Sequence, residues 1–306
     1  MEDNIKFIPD EELVPIHVMQ SFSQVVDWGL MQSSIPEAWK YTMGEGINVA
    51  ILDTGIADHP DMEGALLPPL NFSGENDHLD RNGHGTHCAS IVAARNNELG
   101  MVGVAPGCNI ISVKVLGNNG SGSYDGIIAG IQGAMDAGAD IISMSLGSPT
   151  EAPIALHEKI KEATNRGIIV LAAAGNDAGR TNYPARYDEV IAVAALDRTG
   201  NLAHFSSRSD EVDAVAPGVD IYACHLNKGY AKLNGTSQAC PFMAGVCALL
   251  LAWSRKTPDV PLIKNYQDML QRLDDVCDKD SNNVSLGRSG EWGFGIPSFA
   301  NNKFRP

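Results

Sequence analysis

The sequence predicts an α/β domain built on a mostly parallel sheet. Short runs of apolar, often β-branched residues recur along the 306 residues, and each is typical of a strand buried on both faces. Segments with apolar residues three and four apart stand between these runs, as expected for helices. Because strands and helices alternate, the strands should lie parallel in one sheet.

The elements follow in a regular order along the chain. The predicted strands cover residues 47–52, 110–116, 141–146, 168–174 and 190–196. The predicted helices cover residues 87–95, 124–137 and 154–166. A parallel sheet binds ligands beyond the carboxyl ends of its strands, so residues that directly follow a strand are the first candidates for chemistry.

Composition and charge exclude several classes of protein. The chain carries 22 Lys and Arg against 37 Asp and Glu, a net charge of −15, so nucleic acid and anionic membrane surfaces are not expected partners. With 44% hydrophobic and 19% charged residues, the composition is that of a globular protein rather than a disordered one. Apolar runs such as residues 246–253 are shorter than the roughly 18 residues that cross a bilayer.

The cysteines and the N-terminal residues indicate a cytoplasmic protein. The six cysteines show no metal-binding or disulfide-ladder spacing, so we expect reduced, buried thiols. The first residues contain no basic segment followed by an apolar stretch, so no secretory signal is predicted. Residues 1–22 are polar and contain Pro9 and Pro15, and we expect them to form an arm attached to a single domain over residues 23–306.

Four polar residues at the ends of apolar segments could together carry nucleophilic catalysis. Asp53 follows the first strand, His84 precedes a helix, Asn176 follows a later strand and Ser237 opens an apolar segment. A serine hydroxyl needs a base, which His84 would supply, and the imidazole needs an acidic partner such as Asp53. The Asn176 amide and the Ser237 N–H would then stabilise an oxyanion.

Each of these residues also has a simpler interpretation when it is taken alone. Asp53-Thr54-Gly55 also marks aspartic proteases, but that site needs a second copy and an all-β pattern. His84 and His87 could bind a metal, although no third ligand is evident. Asn176 could cap a strand and Ser237 a helix. The ordered combination is what favours catalysis, and no G-x-S-x-G or Walker motif offers another reading.

From Gln24 to about Pro297 the chain resembles the subtilisin-like serine proteases, the peptidase S8 family. The resemblance rests on four motifs, Leu-Asp53-Thr-Gly, Asn-Gly-His84-Gly-Thr-His, Ala-Ala-Gly-Asn176 and Asn-Gly-Thr-Ser237-Gln-Ala-Cys-Pro. It implies a three-layer α/β/α fold and a serine endopeptidase with Asp53, His84 and Ser237 as catalytic triad and Asn176 in the oxyanion hole. The short arm and acidic surface resemble the intracellular branch of the family.

The resemblance also implies where a peptide would bind. Gly120-Ser121-Gly122 and Ser145-Leu146-Gly147 look like the two strands that hold an extended substrate by main-chain hydrogen bonds. Small residues over 172–175, including Ala174 and Gly175, would line the S1 pocket, and Tyr124 would cap S4. The expected activity is broad, with apolar or aromatic residues before the cleaved bond. Without the resemblance, the Gly- and Ser-rich segments would be taken for surface turns.

Calcium is the cofactor that the resemblance implies. Residues 95–101 resemble the family's calcium loop, and carboxylate, amide and carbonyl oxygens are the ligands that calcium prefers. The alternative is a solvated, Asn-rich turn. The expected ligands are the side chains of Gln24, Asp61 and Asn97 and the carbonyls of Arg95, Leu99 and Met101.

The arm and several substitutions set this chain apart. Phe7-Ile8-Pro9 resembles the Leu-Ile-Pro segment with which intracellular subtilisins block their own cleft, so the arm is expected to inhibit until it is removed; the alternative is a frayed terminus. Gln238 stands where the family usually has Met. Only six residues separate Asn176 from Tyr183, which leaves the S1 preference open.

Two other functions stay open at this point. The same site could serve a dedicated processing protease or peptide cyclase with one substrate, or the chain could be a peptide-binding pseudoprotease, which would lack a triad member. Polypeptide substrates are the expected partners, and a homodimer is possible.

Overall fold

A seven-stranded parallel sheet forms the centre of the computed structural model, which describes residues 4–7, 14–16, 24–278 and 291–300. The strands are β1 Asn4–Phe7, β2 Val14–Ile16, β3 Asn48–Asp53, β4 Leu70–Asn71, β5 Asn109–Lys114, β6 Ser121–Ser123, β7 Ile141–Met144, β8 Leu146–Gly147, β9 Ile169–Ala173, β10 Ile191–Leu196, β11 Ala214–Pro217, β12 Ile221–Cys224, β13 Tyr230–Leu233, β14 Cys277–Asp278 and β15 Ile296–Pro297. The helices are α1 Trp28–Gln32, α2 Ile35–Ala38, α3 His84–Ala93, α4 Tyr124–Asp136, α5 Ile154–Asn165, α6 Thr236–Lys256 and α7 Tyr266–Val276, with single 3₁₀ turns at Pro60–Met62 and Leu226–Lys228.

The central sheet has the strand order β11-β10-β9-β7-β3-β5-β4, and every neighbouring pair is parallel. The five predicted strands are its five inner members, so the predicted parallel sheet is confirmed. The two edge strands β4 and β11 were not predicted, because two residues of β4 and the sequence Ala-Val-Ala-Pro of β11 carry too little apolar periodicity.

Helices cover both faces of this sheet. Along β3, Val49 and Ile51 pack into the core beneath α3 and α6, whereas Ala50 and Leu52 pack into the core beneath α4 and α5. Side chains of a strand alternate between the two faces, and here both faces are buried. The three-layer α/β/α fold is therefore confirmed.

Helix α3 begins at His84, three residues before the predicted start at residue 87. Gly83 supplies the turn into the helix with a φ of 101°, and all ten helical residues are buried. A helix without an exposed face shows no clear apolar stripe, which is why periodicity placed its start too late. His84 is thus the first residue of the helix.

Helix α6 runs through the interior beside the sheet. Among the described residues it is the one helix long and apolar enough to cross a membrane, but all of its apolar window is buried inside the protein, as in the core helix of a globular domain. All six cysteines are buried thiols outside disulfides, as predicted.

Two small antiparallel sheets contain the described parts of the N-terminal arm. Strand β1 lies between β6 and β8, and β2 pairs with β13, which itself pairs with β12. A third pair joins β14 and β15.

Candidate active site

Asp53 and His84 meet at the carboxyl edge of the sheet. Asp53 is the last residue of β3, and its Oδ1 lies 2.7 Å from Nδ1 of His84. The same oxygen accepts a hydrogen bond from the Thr54 N–H at 2.7 Å. Both side chains are buried, with 0% of Asp53 and 3% of His84 exposed. The contact fixes the imidazole orientation, with Nδ1 toward the acid and Nε2 as the remaining nitrogen.

The environment of His84 makes its imidazole a stronger base. Burial by itself would lower the pKa of His84, but the Asp53 carboxylate, together with Cys88, outweighs it and raises the pKa well above 6.5. The imidazolium form that arises on proton uptake is therefore stabilised.

Ser237 lies in the first turn of α6, and its backbone is held from two other elements. Its carbonyl oxygen accepts hydrogen bonds from the Ser145 hydroxyl at 2.8 Å and from the Cys88 thiol at 3.4 Å. The Cys88 sulfur also lies 3.9 Å from Nδ1 of His84. Since Cys88 belongs to α3, this thiol connects the helix of the base to the backbone of the serine, and Ser145 has a structural role besides the predicted peptide contact.

Asn176 is oriented by the residue that precedes Ser237. Its Oδ1 accepts hydrogen bonds from both the backbone N–H and the hydroxyl of Thr236, each at 2.9 Å. The Thr236 hydroxyl also accepts from the Gly175 N–H at 3.1 Å. With its oxygen used in this way, the group that the Asn176 side chain could offer to an oxyanion is its NH₂ group, close to the amino end of α6.

Asp80 organises the start of α3, and the sequence analysis missed it. Its buried carboxylate accepts hydrogen bonds from the Thr54 hydroxyl at 2.9 Å and the Gly83 N–H at 2.9 Å. It also accepts from the N–H and the hydroxyl of Thr86 at 2.9 and 2.6 Å. The loop after β3 and the first turn of α3 are thereby held together. The sequence does carry a signal for this role, since Asp80 stands four positions before His84, the residue that starts the helix.

The two predicted peptide-binding segments face each other across the arm. In β6, Gly122 is opposite Ile5 and Ser121 is opposite Lys6; in β8, Gly147 is opposite Lys6 and Leu146 is opposite Phe7. Gly120 precedes β6 in a turn with a φ of 75°. Both segments therefore bind an extended chain antiparallel to themselves, and this chain is the protein's own arm.

The side chain of Ile5 joins the apolar core next to these strands. It is 0% exposed and packs in one cluster with Leu116, Tyr124 and Leu146. Ala174 and Gly175 follow β9 and lead into Asn176.

The predicted calcium ligands lie together at one place. Nε2 of Gln24 is 2.8, 3.3 and 3.2 Å from the carbonyl oxygens of Arg95, Leu99 and Met101, and 3.4 Å from Oδ1 of Asn97. One NH₂ group has two hydrogens and cannot satisfy four acceptors. Four oxygens gathered around one side chain are the type of ligand that a cation prefers, and a half-turn of the amide would bring Oε1 of Gln24 in place of the NH₂ group.

Asp61 completes the group. Its Oδ2 accepts hydrogen bonds from the Met101 N–H at 2.8 Å and the Tyr230 hydroxyl at 3.0 Å. Its Oδ1 is buried and has no hydrogen-bond partner in the described ranges. A buried carboxylate oxygen without a partner costs free energy, so these residues fit a bound cation.

The two charged residues of the loop between Asn176 and Tyr183 each bind another side chain of the protein. Asp177 accepts a hydrogen bond from the Ser207 hydroxyl, and Arg180 forms an ion pair with Glu211. These contacts give neither charge a role in the S1 preference.

Comparisons with known proteins agree with this geometry. A profile described as the subtilase family, peptidase S8, matches residues 44–269. The chain is 42% identical over 252 residues to an intracellular serine protease of Paenibacillus polymyxa, covering 78% of this chain and 77% of that protein. It is 40% identical over 267 residues to the major intracellular serine protease of Bacillus subtilis, covering 83% and 81%. It is also 44% identical over 233 residues to subtilisin Savinase of Lederbergia lenta, covering 74% and 85%.

Proposed function

Since the chain belongs to the subtilase family of serine proteases, we propose that it cleaves polypeptides with Ser237 as nucleophile, His84 as base and Asp53 as the group that orients His84. The observation that carries this assignment is the buried contact of 2.7 Å between Asp53 and His84, beside a serine whose carbonyl is anchored by Ser145 and Cys88. The order Asp, His, Ser along the chain is that of subtilisin.

The proposed reaction proceeds through an acyl-enzyme. The Ser237 hydroxyl attacks the peptide carbonyl while His84 takes its proton. The negative charge on the carbonyl oxygen is stabilised by the Asn176 NH₂ group and the Ser237 N–H. His84 then gives the proton to the leaving amine, and a water molecule, activated by the same imidazole, releases the acyl group.

We further propose calcium at the cluster around Gln24. The four oxygens gathered around Gln24 and the partnerless Oδ1 of Asp61 support it. Bound calcium would neutralise the Asp61 carboxylate and hold the segment at Gln24 to the loop over residues 95–101. It would act on stability rather than on the reacting atoms.

The arm is proposed to inhibit the enzyme until it is removed. Its residues 4–7 pair with both predicted peptide-binding strands, and Ile5 is buried in the same apolar cluster as Tyr124, so a substrate could not bind there at the same time. Ile8 and Pro9, the rest of the predicted inhibitory segment, lie outside the described residues.

An intracellular location and broad cleavage after apolar or aromatic residues complete the proposal. Two relatives named as intracellular serine proteases support the location. Incubation with a proteome-derived peptide library, with Ser237→Ala as the control, tests the function. Many wild-type cuts after apolar residues would support it; one dominant cut would favour a processing enzyme, and cuts that persist in Ser237→Ala would contradict the assignment of the nucleophile.

A further inference from the structure

The outer edge of β13 is a second place where the arm pairs with the domain. Val14, Pro15 and Ile16 of β2 lie opposite Lys232, Ala231 and Tyr230 in antiparallel register. The other edge of β13 is occupied by β12, and within the described part of the chain β2 is the only strand on the outer edge. The arm thus makes two separate strand additions.

The arm makes these two additions one after the other along its chain, with β1 on β6 and β8 first and β2 on β13 second. Phe7 is opposite Leu146, the neighbour of Ser145, whose hydroxyl bonds the Ser237 carbonyl. Strand β13 ends at Leu233, four residues before Ser237 in sequence. Because β2 and β13 are antiparallel, the arm meets β13 at its Lys232 end, the end nearer Ser237 in sequence, and leaves at Tyr230. The stretch of chain from residue 7 to residue 14 can span at most about 25 Å.

The register shows which backbone groups of β13 face the arm. Pro15 has no N–H, so its pairing with Ala231 is a non-hydrogen-bonded position, and hydrogen-bonded positions alternate with these along an antiparallel ladder. The N–H and C=O groups of Tyr230 and Lys232 therefore point outward. When the arm is gone, this edge is left with unpaired groups, a template for another extended chain.

The edge is held in place by contacts outside the strand. The Tyr230 hydroxyl donates to Asp61 at 3.0 Å, and the Tyr230 ring stacks on Tyr222 with centroids 5.1 Å apart. An edge that is already ordered loses little entropy when a partner strand binds.

We propose that the outer edge of β13 is a peptide-binding site for the part of a polypeptide substrate that lies C-terminal to the cleaved bond. This proposal rests on the proposed protease function, and it adds that substrates bind as two strands, one before the cleaved bond at β6 and β8 and one well after it at β13. Main-chain hydrogen bonds would make the site tolerant of sequence. It would select long, unfolded chains over short peptides.

The test compares two fluorogenic peptides that are identical around the cleaved bond. The short one ends about four residues after that bond, and the long one continues to about twelve residues, enough to reach β13 in the register of the arm. The enzyme is the full chain, incubated until its activity is constant. We expect kcat/KM to be about five- to tenfold higher for the long peptide, since a few main-chain hydrogen bonds are gained.

A matched pair of variants locates the effect. Lys232→Pro removes the outward N–H and should bring the long-to-short ratio to about one, whereas Lys232→Ala keeps the N–H and should keep the ratio. A second test changes the peptide and leaves the enzyme as it is. A long peptide with N-methyl groups on alternate residues of its tail should have the same kcat/KM as the short peptide. Equal kcat/KM for both peptides in the wild type, or an advantage that survives both Lys232→Pro and N-methylation, would overturn the proposal.

Failure of the protease function itself would look different, because neither peptide would then be cleaved. The site is tested in that case by hydrogen exchange in the full-length Ser237→Ala chain. The Lys232 amide should exchange at least about tenfold more slowly than an unpaired amide, since the arm occupies the edge. Exchange at the unpaired rate would overturn the pairing on which the site depends.

Discussion

The proposed catalytic side chains are held through backbone and neighbouring residues as much as through one another. Asn176 is oriented by Thr236, the Ser237 carbonyl by Ser145 and Cys88, and the turn before His84 by Asp80. Preorganised donors of this kind are effective because they need no rearrangement when charge develops in the transition state.

Two single substitutions separate the nucleophile from the oxyanion donor. Ser237→Ala should abolish peptide hydrolysis and leave the fold intact, because one hydroxyl is lost and no large core group. Asn176→Ala should lower kcat by about 10² to 10³, the loss known for one oxyanion donor in subtilisin. Peptidase assays with circular dichroism as the folding control measure both. Full activity in Ser237→Ala would refute the mechanism.

The raised pKa of His84 predicts the acid side of the pH profile. His84 must be neutral to accept the serine proton, so kcat/KM should rise with pH as His84 loses its proton, with a midpoint above pH 6.5. In Asp53→Asn the carboxylate that raises this pKa is absent and burial dominates, so the residual activity should show its midpoint at lower pH. An unchanged midpoint in Asp53→Asn would show that Asp53 does not set the pKa of His84.

Gln238 predicts resistance to peroxide. Both polar atoms of its buried side chain have no hydrogen-bond partner among the described residues, and it has no sulfur beside the nucleophile. Gln238→Met introduces a thioether that peroxide converts to a bulkier sulfoxide, so this variant should lose activity faster than wild type. Burial raises the pKa of the Cys88 thiol, and it raises that of Cys240 to about 12, which keeps both protonated and slow to react.

The test compares the rates at which wild type, Gln238→Met and Cys240→Ala lose activity in peroxide. Mass spectrometry locates the added oxygen. Equal rates for wild type and Gln238→Met, with oxygen on a cysteine, would show that the thiols decide the outcome.

At the scale of an element, the arm forms strands only where the domain offers edges. Strand β1 has four residues and β2 has three, too short to be stable alone, and both are completed by strands of the domain. Removal of the arm would therefore leave the edges of β6, β8 and β13 without these two partner strands.

A chain that begins at Ser23 should be more active than the full-length protein as first purified. The edges of β6 and β8 that pair with the arm would then be open to a substrate, and the residues that bury Ile5 would be uncovered. Initial rates on a short peptide, with full-length protein carrying Ser237→Ala as background, measure the difference. If the shortened chain folds and is no more active, the arm is not an inhibitor.

At the scale of the whole molecule, the proposed calcium cluster connects distant parts of the chain. Gln24 reaches carbonyls over residues 95–101, and Asp61 bonds both Met101 and Tyr230 of β13. Order at this cluster therefore supports the segment that follows the arm and the strand that leads to Ser237.

Chelation should lower the stability of the folded protein. A ligand that binds only the native state adds about 2.7 kcal/mol at a hundredfold excess over Kd. EDTA should accordingly lower the Tm by several degrees, and Asn97→Ala, which removes one ligand oxygen, should abolish the difference between calcium and EDTA. Melting curves that coincide with and without calcium in the wild type would contradict the site.

The sequence by itself determined the parallel sheet and the candidate catalytic residues. Strands buried on both faces appear as continuous apolar runs, and Asp53 and Asn176 directly follow such runs, so local pattern suffices for both. The motif around Ser237 is likewise local, at the start of the long apolar helix α6.

Only the tertiary structure decided how the site is supported and where the arm lies. The contacts of Ser145 and Cys88 with Ser237 join residues 92 and 149 positions apart, and no local periodicity encodes such a pairing. The same holds for β1 and β2, because the register of a short strand is set by the edge that it meets rather than by its own sequence. The start of helix α3 also depends on tertiary structure, because the helix is buried on all sides and has no polar face to show where it begins. Gly83 and Asp80 define its start.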